Sequence, residues 1–432
     1  MKLWPSISKA LLLLGVSGLA HAALPVQSWT TSSGTRVLFV QADAIPMLDI
    51  QVDFDAGARF DPPGKSGLAQ LVQDLIGKGT PDLDEQQFEE RLADLGTEMG
   101  GGAQMDRSSH TLRTLTDPTV RTAAIALFAQ ALHHPTFPED VLAREKTRSI
   151  AALKEAHTRP DQIAARRFYA LLYGNHPYAA EPTEQSVAAI TRNDLENFYR
   201  NTHSAARAVV SMIGAIDRSQ AEAIAEQLTR DLPAGSDLPT PAAPAATRAQ
   251  TEHIAHPAQQ SHILIGLPAV VRGDPDYFAL LVGNHVLGGG GFTSRLMREV
   301  REKRGLAYSV YSYFSPMKQA GPFVIGLQTQ RAQTDAALAI VNQTLREFLQ
   351  QGPSAAEVRA AQNNLVGGFP LLIDNNHKLL QNLATIGFYG LPLDYLDHWT
   401  EKIAAVTVPQ IRAAFARKVD AGQLVTVVVG AE

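Results

Sequence analysis

Two groups of residues have types and spacings that invite a chemical reading. Gln70, Gln73 and Asp74 lie within Gly67–Thr80, GLAQLVQDLIGKGT. Residues 70 and 74 are four apart and project side by side on a helix. Asp74 could touch a metal, but one ligand is not a site. Taken alone, the stretch is an amphipathic helix with amides on its wet face. His253, His256 and His262 form H-x-x-H-x-x-x-x-x-H. On an extended segment His253 and His256 point to opposite faces, and surface histidine is the reading there, as at His133-His134. Gly288–Gly291 lacks the G-x-x-x-x-G-K-[ST] pattern of a phosphate loop. No Ser/His/Asp arrangement is visible, and a chain with no cysteine has no thiol nucleophile.

The elements that must position these residues emerge from periodicity. Leu68, Leu71, Val72, Leu75 and Ile76 form one apolar helix face. Gly77 and Gly79 can end that helix. Arg36–Val40 and Asp49–Phe54 read as strands, the second alternating Ile50, Val52, Phe54. Glu85–Leu95 is a second amphipathic helix, Met99–Ala103 a flexible turn, and Ser109–Leu115 a strand. Helices then dominate to about residue 200, before the strand Ala208–Ile213. In 281–313, LVGNHVLGGGGFTSRLMREVREKRGLAYSVYSY, Gly288–Gly291 reads as a glycine-rich turn. Thr293 or Ser294 can cap a helix running to Lys303. Gly305 ends it, and Leu306–Tyr313 alternates as a strand.

The chain has 432 residues, 45% hydrophobic and 19% charged, the composition of a soluble globular protein of several domains. Residues 1–22 read as a secretory signal peptide, with Lys2 and Lys9, the apolar run Ala10–Ala20 and the A-x-A site Ala20-His21-Ala22. An uncleaved membrane anchor is the alternative. Its removal takes the net charge from −5 to −7, the two lysines being its only charges. That gives no footprint for nucleic acid. No later stretch is long and apolar enough to cross a membrane. Residues 231–250, with four prolines and many alanines, have a linker composition. Across that linker the halves match. Val187–Thr191 recurs as Ile403–Thr407, and Leu195, Tyr199 and Gly214 match Ile411, Phe415 and Gly430, all at one constant offset that needs no gap. This predicts a duplicated α+β fold: two homologous domains of mixed or antiparallel sheet plus helices, 23–230 and 251–432.

Gly67–Thr80 resembles the zinc helix of the pitrilysin/insulinase-type metallopeptidases, the inverzincins, and most closely their mitochondrial-processing-peptidase-like bacterial members. That helix reads G-x-A-H-x-x-E-H-x-x-x-x-G-T, with two zinc-binding His and a water-activating Glu. The resemblance puts Gln70 and Asp74 at the His positions and Gln73 at the Glu. A third ligand comes from the next helix, Glu then six residues then Glu. Glu145 fits its first, outer Glu and Ala152 stands at the ligand. An amide is a poor zinc ligand, and Gln73 cannot take a proton from water. The frame survives without its chemistry.

Residues 281–313 also resemble the family, nearly without gaps. There an Arg and a Tyr seven residues apart reach into the opposing active site and hold the peptide carbonyl. Here they are Arg301 and Tyr308. The resemblance implies bowl-shaped halves closing on an extended peptide. Gly100, Gly101, Gly102 and Ala103, with Gly288, Gly289, Gly290 and Gly291, are its peptide-contact candidates. A sheet edge can take up a peptide through backbone hydrogen bonds.

The expectation is a non-catalytic subunit of a periplasmic heterodimeric zinc peptidase. This chain holds no metal of its own. A partner with an intact H-x-x-E-H motif carries the zinc, and Arg301 and Tyr308 act in trans. The alternatives are a stand-alone peptide-binding or scaffolding protein, and a zinc peptidase with a displaced metal site at the His253 cluster.

Overall fold

The computed structural model describes residues 25–430, so the signal peptide expected at 1–22 lies outside the described residues. The first half runs β1 (Gln27–Thr30), β2 (Arg36–Gln41), β3 (Met47–Phe54), α1 (Leu68–Leu75), α2 (Glu85–Asp94), β4 (Glu98–Ala103), β5 (Ser108–Leu115), α3 (Pro118–His133), α4 (Glu139–Ala156), α5 (Pro160–Tyr173), α6 (Glu184–Ala189), α7 (Arg192–Thr202), β6 (Ala208–Gly214) and α8 (Arg218–Thr229). The second runs β7 (Gln250–Ile254), β8 (Gln260–Val270), α9 (Tyr277–Asn284), β9 (Ala307–Phe314), β10 (Gly321–Gln330), α10 (Thr334–Gln351), α11 (Ala355–Gly368), α12 (Asn376–Tyr389), α13 (Trp399–Ala404), α14 (Val408–Lys418) and β11 (Val425–Val429).

The strands form two sheets, ordered β1-β2-β6-β3-β5-β4 and β7-β11-β8-β10-β9. From β2 onward the second repeats the first. A parallel pair (β2–β6, β7–β11) leads through antiparallel pairs to an edge strand, β4 in one and β9 in the other. The repeat reaches further back than the sequence match. Helices α3, α4, α5 and α7 begin at Pro118, Glu139, Pro160 and Arg192; α10, α11, α12 and α14 begin at Thr334, Ala355, Asn376 and Val408, the same offset each time. Thr191 and Thr407 close the same reciprocal capping box, with Asp194 and Gln410. Each box satisfies two amides that a helix start otherwise leaves open.

The halves exchange helices. Phe168 and Ala164 of α5 pack with Val425, Val427 and Val429 on the second sheet. Leu383 and Ile386 of α12 pack with Leu38, Val40 and Ile213 on the first. Close contact sets residue size at both crossings. A Cβ on Gly266 would stand 1.9 Å from the Phe323 carbonyl oxygen of β10 as well as 3.0 Å from the Phe168 ring, and one on Gly387 2.7 Å from Val209. Fully burying an aromatic or branched side chain stabilises by roughly 1.5–3 kcal/mol, so each half owes part of its core to the other. A polar knot joins the two hairpin turns. Asp106, between β4 and β5, accepts from Tyr178 Oη at 2.5 Å, from the Lys318 amide at 2.8 Å and from Tyr389 Oη at 3.2 Å.

The segment 231–250 is strapped to the surface. The Gln319 amide donates to the Pro241 carbonyl at 3.1 Å, and the His176 ring meets the Ala242 carbonyl at 2.9 Å. Met99–Ala103 differs from the flexible turn expected of it and belongs to edge strand β4. Of its three glycines, Gly101 is required by close approach. A Cβ on Gly101 would stand 2.1 Å from the Ser109 carbonyl oxygen and 2.9 Å from the Gln73 amide.

Candidate functional site

Helix α1 forms because its apolar face, Leu68, Leu71, Val72 and Leu75, is buried in the core of the first half, where it packs with α4, α7, β4 and β5. Its start is held from outside the helix. Asp61 accepts from the Gly67 amide at 2.7 Å and the Ala69 amide at 2.8 Å. Gly67 takes φ 100°, a conformation that strains any side chain.

The polar positions of α1 close on one another. Gln70 Nε2 donates to Asp74 Oδ1 at 2.8 Å. With its amide turned to the orientation that satisfies both neighbours, Gln73 Nε2 donates to the same oxygen at 2.9 Å, and its Oε1 accepts from the Gly102 amide at 3.3 Å. That last bond ties the helix to edge strand β4. Burial raises the Asp74 carboxyl above its ordinary pKa; the Gln70 bond opposes this and the Glu145 charge adds to it. Glu145 lies on α4, not on the helix next after α1 as expected, since α2 and α3 intervene, and it sits 3.2 Å from Arg144 and 3.7 Å from Arg148. Ala152, on the same helix, is exposed.

This donor set does not fit zinc. It offers two amides, one carboxylate oxygen already holding two N–H groups, and a methyl where a third ligand would stand. Among the described residues, no group of three or more His, Asp or Glu is placed to hold a metal. The histidines have other work. His256 meets the Thr158 carbonyl at 3.1 Å and the Ala258 amide at 3.2 Å. His262 faces Gln328 at 3.4 Å. His133, expected at the surface, is buried with its ring on the Leu228 carbonyl at 2.9 Å. It ends α3, where α8 packs over it.

The second cluster is built on β9. Residues 288–291 are not the simple turn expected. The chain stays helical through His285–Gly289 and tightens at Gly291–Thr293. Ser294 caps the next helical turn, accepting from the Met297 amide at 3.4 Å. A Cβ on Gly288 would stand 2.4 Å from Ser312 Oγ, so glycine lets β9 lie against this segment. Asn284 then clamps the strand, donating to the Ser312 carbonyl at 2.9 Å and accepting from its hydroxyl at 2.6 Å.

Arg301 lies in the wide helical turn Met297–Glu302. Its guanidinium stands 4.6 Å from the centre of the Tyr308 ring and 4.9 Å from that of Phe292. Such stacking orients a cation without neutralising it. Tyr308 is 82% exposed and Phe292 65%. A cavity of about 440 Å³ opens here, bordered by Gly288, Gly291, Phe292, Arg301, Tyr308 and Tyr311. Among the described residues, no hydrogen bond, ion pair or ring contact links this cluster to Gln70, Gln73 or Asp74. Sequence reasoning missed Phe292, although an exposed aromatic after a glycine run was a usable signal. It also missed the Asn284–Ser312 clamp, which bridges 28 residues and leaves no local pattern.

Known proteins agree with this anatomy. Residues 36–184 match the family described as insulinase, peptidase family M16, and residues 189–365 its "Peptidase M16 inactive domain". A solved "peptidase M16 inactive domain" from Pseudomonas fluorescens is 36% identical, with TM-score 0.91, over 95% of this chain and 98% of that one. A Helicobacter pylori protein named "Non-peptidase homolog YmxG" is 26% identical over 93% of both chains. A Bacillus subtilis protein named "Uncharacterized zinc protease YmxG" is 24% identical over 83% of this chain and 87% of that one. Similar over nearly its whole length to proteins described as inactive or non-peptidase, and carrying two amides, an amide-bound carboxylate and an alanine where the resemblance expects zinc ligands and base, this chain belongs to the M16 (insulinase) peptidase family.

Proposed function

We propose that this chain is the non-catalytic subunit of a heterodimeric zinc peptidase in a bacterial periplasm. It binds extended peptide along β4 and lends Arg301 and Tyr308 to a partner's active site. The partner carries the H-x-x-E-H helix, the ligand Glu and the zinc. One observation carries the reading. The zinc helix has lost every ligand and its base, yet Arg301 stands cationic between two exposed rings with no carboxylate partner among the described residues. A guanidinium and a phenol can donate to the oxyanion that develops when a peptide carbonyl is attacked. The edge of β4, smooth at Gly100–Gly102, can pair with a peptide backbone.

The test is to tag the chain in its native cell, fractionate, and identify what co-purifies. The expected result is a stoichiometric partner with an intact H-x-x-E-H helix, a mature chain beginning after Ala22 in the periplasmic fraction, and peptide cleavage only by the pair. Arg301→Ala should then lower the pair's turnover by ~10²–10³. Near wild-type turnover by that variant pair overturns the role of Arg301. A second reading, a peptide-binding protein without a catalytic partner, is favoured by the amides that make the α1 site self-sufficient. It predicts peptide affinity and no hydrolysis in whatever complex is recovered.

A further inference from the structure

Two cavities of about 510 and 390 Å³, sharing no lining residue with the Arg301 cluster, adjoin where the β8–α9 connection meets the segment after α12. They share Arg272, Tyr277, Leu391 and Tyr395 as a common wall. Phe278, Pro392 and Val406 add apolar surface to the larger one.

The charges around the larger cavity are unevenly matched. Asp276 is held by Arg417 through two bonds of 2.6 and 2.9 Å, and Asp274 is bonded by Lys418. Both acids are neutralised. Arg272 and Lys402 have no carboxylate partner among the described residues. The Arg272 guanidinium lies 5.1 Å from the Tyr389 ring, and its Nε is closed off from solvent without a hydrogen-bond partner. The Lys402 amine stands 5.4 Å from the Phe278 ring and 5.9 Å from that of Tyr395. Two unmatched cations set in aromatic and aliphatic walls suit a single negative charge on an apolar body.

We infer that this cavity binds a carboxylate carried on an apolar chain, with Arg272 and Lys402 holding the carboxylate and Phe278, Leu391 and Tyr395 enclosing the rest. A peptide ending in an apolar residue and a free apolar acid share that chemistry. The site has no residue in common with α1, β4 or the Arg301 cluster, so it stands apart from the function proposed above.

Calorimetric titration of the whole mature chain tests it, with N-acetyl-Leu-Phe, its carboxy-terminal amide, and decanoate. At least one of the two acids should bind saturably, and the amide ~10-fold or more weaker than its parent, since a charge-assisted bond is lost. Tighter binding of the dipeptide identifies a peptide terminus as the ligand; tighter binding of decanoate identifies a free acid. Lys402→Gln, a change at an exposed position that leaves the fold intact, should weaken binding by a similar factor, and Arg272→Gln by more. Arg301→Ala should leave it unchanged. No saturable binding by either acid up to millimolar concentration overturns the proposal. So does equal binding of acid and amide, or an unaltered affinity in Lys402→Gln.

Discussion

Tyr173 and Tyr389 stand at equivalent places in the two halves, and each ends a helix by hydrogen-bonding the hairpin turn of the other half. Tyr173 Oη donates to the Ala320 carbonyl at 3.1 Å, and Tyr389 Oη to Asp106 at 3.2 Å. Both helices stop at a glycine, Gly174 and Gly390. The duplication has therefore kept the contacts that fasten its two copies together as well as the copies themselves.

Cutting the strap should not separate the halves. With a protease site inserted near Asp237 and cleaved, the two fragments should still elute together under native conditions, because α5 and α12 remain exchanged. Residues 23–230 expressed alone should aggregate, since Leu38, Val40 and Ile213 lose their cover. Independent, soluble, cooperatively melting fragments would contradict the exchange.

The zinc helix should be repairable only in full. The wild-type chain should hold zinc at well below one ion per chain. Gln70→His, Gln73→Glu and Asp74→His together still lack the third ligand, and tight binding should need Ala152→Glu as well. Elemental analysis after dialysis against chelator separates the cases. Stoichiometric zinc in the wild type would remove the amide-for-ligand account.

Gly101→Ala should damage β4 more than its size suggests. The added carbon meets the Ser109 carbonyl and the Gln73 amide, so the strand must shift. A loss of ~1–3 kcal/mol in stability is expected, with a larger proportional loss of peptide affinity. Chemical denaturation and peptide titration measure the two. Gly102→Ala, with open space at its Cβ, is the control.

Asn284→Leu should uncouple the Arg301 cluster from the core. It strands the Ser312 carbonyl and hydroxyl in a buried place, at a cost of ~1–3 kcal/mol. Thermal melting would report that loss. Fluorescence of the β9 tyrosines would report displacement of the strand, and an unchanged melting temperature would count against the clamp.

His110 and His203 make stability pH-dependent. Their rings lie 5.9 Å apart and both are fully buried. Burial pushes His110 down to about 4 and lowers His203 well below its ordinary value. In the unfolded chain both take protons near pH 6.5. Below that pH the unfolded state binds more protons than the native one, so this stability is whole above about 6.5 and is lost as pH falls toward 4. The His110 share is about 3 kcal/mol. Urea melts between pH 7.5 and 4.5 should slope accordingly, and His110→Gln should flatten the slope.

Much of this was legible in the sequence because it is local. The apolar stripe of α1, the alternation in β3 and the repeated Val187–Thr191 segment each declare themselves within a short window. So does the loss at Gln70, Gln73 and Asp74, which needs only the frame around it. What stayed hidden depends on distant partners. Three glycines between Met99 and Ala103 signal a turn locally, but the ladder with β5 and the approach of Gln73 make them a strand. His133 looks polar at a helix end until α8 covers it. The helix exchange has no local signature, since α5 has the same amphipathic pattern whichever sheet it covers.

The exchanged helices also set an order in time. β2 and β3 are made early, but α12, which covers their sheet, lies close to the other end of the chain. During synthesis the first half must wait, incomplete, until nearly the whole chain has emerged. Contacts so distant along the chain slow the search for the native state and keep apolar surface open meanwhile. Folding is thus a late, nearly all-or-none event, and an internally truncated chain leaves neither half finished.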